Sequence, residues 1–89
     1  MVKVKNLHGT SDSAPEGYGS WKEFWIAKSG RQWPRYCAVI GCLEPAMVGG
    51  HVKLVNGGNE WYIVPLCYTH NNNHDGEFYV DESLLVKVR

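Results

Sequence analysis

Eighty-nine residues leave room for one domain. With 44% hydrophobic and 20% charged residues, the chain is too apolar for wholesale disorder, yet it has no apolar run near the ~18 residues of a membrane span, so a soluble, cytoplasmic protein is expected. Nine Lys+Arg against nine Asp+Glu give zero formal charge, which argues against a protein whose main business is coating nucleic acid or an acidic membrane.

Residues 1–7 alternate Val2 and Val4 with Lys3 and Lys5, a period-two pattern that predicts a short edge strand. Residues 8–19 are rich in Gly, Ser, Thr, Asp and Pro and read as a loop. Ser20-Trp21-Lys22-Glu23 matches a capping box. Trp21, Phe24, Trp25 and Lys28 follow at helical spacing and Gly30 is a natural stop, so a short amphipathic helix is predicted over 21–29. Its aromatics fit core packing better than a stacking platform, because so small a domain needs large side chains at its centre. Residues 51–55 and 61–64 are β-rich runs flanking Asn56-Gly57-Gly58-Asn59, which predicts a hairpin. A short helix is expected over 68–73, beginning near Cys67 and broken at Asp75-Gly76, and residues 78–80 and 84–88 read as closing strands. There is no internal repeat.

The cysteines are the most informative feature. Three is odd, so a closed disulfide framework cannot use them all. Cys37 and Cys42 lie close together, and Cys67 continues as Cys67-Tyr68-Thr69-His70. Two short loops offering two donors each make a Cys3His set, the donor chemistry of a closed structural zinc site. Gly41 supplies the backbone freedom that a tight knuckle needs. Zinc in so small a domain would contribute ~10 kcal/mol or more of folding free energy. His51 and His74 compete with His70 for the fourth place, and the alternative to a metal site is three buried thiols acting as small hydrophobes.

Knuckle, hairpin and a helix carrying the second ligand pair follow the order of a treble-clef zinc finger. Gly49-Gly50-His51-Val52, followed by the run Tyr62-Ile63-Val64-Pro65-Leu66-Cys67-Tyr68-Thr69-His70-Asn71, resembles the zinc-containing branch of the HNH endonuclease superfamily. The resemblance covers roughly residues 37–75. It implies an α+β domain with a treble-clef core there, an extension over 1–36 and closing strands over 76–89. It also implies His51 as the general base of a phosphodiester hydrolase, with a divalent ion such as Mg2+ steadying the leaving oxygen. In the family a metal ligand precedes the base, where this chain has Gly50. The family's asparagine aligns with Tyr62 and its helix histidine with Asn71, with His74 and Asp75 close by. The second metal set would then be Asn71, His74 and Asp75, a poor cage for a hard cation.

The resemblance therefore implies an HNH-like scaffold with a degraded active site. The expected function is a zinc-stabilised binding module for a protein or DNA partner, with a metal-dependent nuclease using His51 as the alternative. Residues 1–36 carry six basic against three acidic side chains, and residues 37–89 carry the reverse. Four Trp and five Tyr offer stacking faces. If the partner is DNA, contact is expected at Lys22, Lys28, Arg31 and Arg35, and should weaken with salt.

Overall fold

A computed structural model describes residues 1–7 and 15–88. Its strands are β1 (Val2–Asn6), β2 (Val48–Leu54), β3 (Tyr62–Leu66), β4 (Glu77–Val80) and β5 (Val86–Lys87). They form one antiparallel sheet in the order β4-β1-β2-β3-β5. Two α-helices, α1 (Trp21–Ser29) and α2 (Tyr68–Asn71), complete an α+β fold, with a 3-10 turn over Glu82–Leu84. No helix among the described residues is long and apolar enough to cross a membrane.

Alternation along β1 is as expected, but its place in the sheet is not: it is an interior strand. β2 pairs along one side and β4, from the far end of the chain, along the other. The reason is burial on one face. Val4 is fully buried and Asn6 nearly so, a demand that an unflanked edge strand would not meet. The loop expected over 8–19 lies partly outside the described residues.

The hairpin forms as predicted and extends further toward the cysteines, pairing Val48 with Leu66 and Val52 with Tyr62. Pro65 sits inside β3 opposite Gly49. Its carbonyl accepts from Ala38 N, on the side away from β2. A residue's N and O point to the same side of a strand, so the missing N–H takes no bond from the β2 ladder.

The sheet is covered on both faces. On one, Val4, Val52, Val64, Leu66 and Val80 pack with Cys37, Ala38 and Cys67. On the other, Ile63 packs with Phe24 and Trp25 of α1. Ser20 is the N-cap of α1, its Oγ accepting from Glu23 N at 3.1 Å. Gly30, at φ 67°, closes the helix by donating to Ile26 O. Trp25 is fully buried and donates from Nε1 to Leu84 O at 2.8 Å. Gly49 permits the close seat of α1, since a Cβ there would lie 2.9 Å from both Ile63 Cγ2 and the Trp21 carbonyl carbon.

Two expectations near the C-terminus are shortened. The run 84–88 begins with the 3-10 turn and keeps only Val86–Lys87 as strand. Asp81 Oδ1 accepts from Ser83 N and Oγ at 3.0 and 2.8 Å, and this local cap outcompetes extended backbone. Helix α2 ends at Asn71, and Asp75 takes a left-handed φ of 64° as the chain turns into β4.

Candidate metal centre

The first pair of ligands sits on a loop fastened at both ends. Cys37 N donates to Glu44 O at 2.8 Å, and Ala46 N donates to Arg35 O at 3.1 Å. Within it, Cys42 N donates to Val39 O, and Gly41 adopts φ 85°, a left-handed turn that suits glycine. Bonds from Ala38 N to Pro65 O and from Ile40 N to Tyr79 O lash the loop to β3 and β4. The second pair comes from the β3–α2 junction. Cys67 is the N-cap of α2, and its sulfur accepts from His70 N at 3.4 Å.

These two segments bring Cys37, Cys42, Cys67 and His70 together, with one donor atom from each all within 4.8 Å of one another. A tetrahedral zinc with ordinary bond lengths places its sulfurs about 3.8 Å apart and sulfur and nitrogen about 3.6 Å apart. The Cys42 and Cys67 sulfurs are 4.0 Å apart. His70 Nδ1 lies 3.6 Å from Cys37 Sγ and 3.2 Å from Cys67 Sγ. The donor set fits a closed metal site such as zinc, with His70, rather than His51 or His74, as the histidine that joins the thiols.

Burial is the largest influence on Cys37 and pushes its thiol up to about 12. Backbone N–H groups of Val39 and Cys67 pull the other way, and the neighbouring Cys67 side chain adds to the rise. Without a cation Cys37 is therefore a neutral thiol at pH 7, and a metal must displace its proton to bind.

A residue outside the sequence-derived set supports the centre. Asn6 is only 2% exposed, and its Nδ2 donates to the carbonyls of His70, Asn71 and Asn73 at 3.1, 2.9 and 3.0 Å. It joins β1 to the backbone of a ligand. The only trace of this in the sequence is an asparagine in register with Val2 and Val4, where an apolar residue would complete the pattern.

The residues expected to form a second, catalytic centre are separated. His51 is buried on the α1 face of β2, its ring 4.4 Å from that of Trp21 and 6.1 Å from that of Trp61. The adjacent Gly50 points to the opposite face, where a Cβ would meet Leu66 Cδ1 and lie 3.0 Å from Asn71 Oδ1. So His51 and Asn71 are divided by the sheet, because successive side chains alternate across a strand. His74 and Asp75 are exposed, and among the described residues no group of three His, Cys, Asp or Glu ligands includes either of them.

Of the expected nucleic-acid residues, Lys22 and Lys28 lie on α1 and Arg31 and Arg35 follow it, each near an aromatic ring. Lys22 Nζ is 5.1 Å from the Trp33 ring centre and Lys28 Nζ is 5.8 Å from that of Phe24. Arg31 lies 5.9 Å from Trp25 and also donates to Ser83 O at 2.8 Å, while Arg35 lies 5.5 Å from Tyr36. Compared with known protein families, curated proteins and solved structures, the chain matches none.

Proposed function

We propose that this chain is a zinc-stabilised, non-catalytic binding module on an HNH-like treble-clef plan, docking a protein or nucleic acid partner. The observation that carries the reading is the convergence of four soft donors from the 37–42 knuckle and the β3–α2 junction, on either side of a hairpin. Four protein donors close a tetrahedral site and leave no position for substrate, so the ion's role is structural.

Two features favour a non-catalytic module over a nuclease. His51 is packed edge-on against Trp21, and the place before it offers no ligand. The water that a general base must reach would need room beside the imidazole. Nucleic acid is favoured as partner by charge beside an exposed ring: Arg35 lies 5.5 Å from the exposed Tyr36, joining a cation for phosphate to a stacking surface, and Lys22 adds charge near Trp33.

Elemental analysis of purified protein should give one zinc per chain, and a chelator should abolish cooperative unfolding. A plasmid-nicking assay with magnesium, manganese or nickel should show no cleavage. Robust cleavage abolished by His51→Ala would overturn the non-catalytic reading. Titration with short single-stranded DNA should move the signals of Lys22, Trp33, Arg35 and Tyr36; if they stay unmoved while a protein ligand shifts them, the partner is a protein.

A further inference from the structure

We infer that Cys42 is the oxidant-sensitive ligand of the centre, and that a hydroperoxide joins Cys42 to Cys67 as a disulfide and expels the metal. This rests on reading the four donors as a zinc site.

The thiols differ in shielding. Cys37 and Cys67 are 5% and 3% exposed, whereas Cys42 is half-buried. Cys42 sits at the outer turn of the knuckle, after Gly41 and between the exposed side chains of Ile40 and Leu43. Thiol oxidation follows thiolate character and access, and coordination to zinc supplies the thiolate. Of the three cysteines, Cys42 is therefore the least shielded from a small oxidant.

A resolving thiol is already in place. Cys67 Sγ lies 4.0 Å from Cys42 Sγ, though the residues are 25 positions apart. Closing that gap to the ~2.05 Å of a disulfide asks for a movement of about 2 Å, which falls to Cys42 as the less buried of the two residues. Cys67, by contrast, is fixed as the cap of α2.

The steps balance with hydrogen peroxide as the oxidant. The Cys42 thiolate attacks one peroxide oxygen; an S–O bond forms, the O–O bond breaks, and hydroxide leaves, giving a sulfenic acid. The Cys67 thiolate then attacks that sulfur; an S–S bond forms, the S–O bond breaks, and a second hydroxide leaves. Two thiolates lose two electrons in total and one peroxide gains them. Only Cys37 and His70 would then remain as protein donors, too few to hold an ion in a closed tetrahedral site.

The test begins with zinc content, measured before any oxidant is added. A protein that neither carries nor takes up zinc refutes the metal reading itself; disulfide mapping after oxidation still tests the pairing of sulfurs. For zinc-loaded protein treated with hydrogen peroxide, a chromogenic chelator should record about one zinc released per disulfide formed. Peptide mapping should place that disulfide at Cys42–Cys67, and a dithiol reductant with added zinc should restore the starting state. Mapping to a disulfide that includes Cys37, or zinc release without any disulfide, overturns the inference. A Cys42→His variant keeps a zinc donor and removes the exposed thiol, so its release rate should fall at least tenfold. Unchanged release from zinc-loaded Cys42→His also overturns it. If that variant fails to load zinc, the wild-type map decides.

Discussion

The link from Asn6 to the metal centre yields a prediction whose size and sign follow from geometry. Its Nδ2 carries two protons and faces three carbonyls at 2.9–3.1 Å, so at least one proton is shared between acceptors. Asn6→Ala removes both donors from a residue 2% exposed and leaves the carbonyls of His70, Asn71 and Asn73 without them. His70 O keeps Asn73 N as a donor and Asn73 O keeps Gly76 N, so the loss is ~1–3 kcal/mol for Asn71 O plus ~0.5–1 kcal/mol for each weakened bond, about 2–4 kcal/mol in all. For a domain of this size that is a fall in Tm of roughly 10–25 °C. Asn6→Asp keeps the shape but sets an acceptor against acceptors, so at pH 7 it should be worse than Asn6→Ala. Acidification should recover part of that difference, because a protonated carboxyl regains one donor. Circular dichroism melts of the zinc-loaded proteins measure the order, and chelator competition should give zinc affinities lower by about tenfold or more, as for other groups that hold a ligand in place. An Asn6→Asp protein melting at or above Asn6→Ala at neutral pH would refute the reasoning.

Other expectations follow from single contacts. Trp25→Phe keeps most of the buried area but deprives Leu84 O of its 2.8 Å donor, and should cost about 2–3 kcal/mol in urea unfolding. Gly50→Asp, which supplies a carboxylate at the position before His51, should destabilise by about 3 kcal/mol without creating magnesium binding, because the new side chain meets Leu66 and Asn71. Calorimetry showing a magnesium site in that variant would count against the separation of His51 from Asn71. Zinc affinity should rise with pH. The metal-free site holds a proton on Cys37, whose thiol stands at about 12, and the loaded site does not, so acid expels the metal and alkali favours loading. Competition against a chelator of known pH behaviour at pH 6, 7 and 8 checks this, and an affinity that is flat or falls across the series contradicts it.

What the sequence determined by itself is recorded in short spacings. The Ser20–Glu23 box and Gly30 bound α1, the Gly/Asn turn marks the hairpin, and Cys-x2-His at 67–70 sets two donors one helical turn apart; each is a local rule that a few residues satisfy alone. Ligand chemistry predicts the meeting of that pair with Cys37 and Cys42. Tertiary structure alone decided the rest. It made β1 interior by bringing β4 to its free side, used Asn6 to hold the backbone of His70, and put His51 and Asn71 on opposite faces of one sheet. Those outcomes depend on which distant segment covers which face. That choice is made by the fit of whole surfaces, Trp21 against Gly49 and Leu66 against Gly50, and no window of adjacent residues contains it.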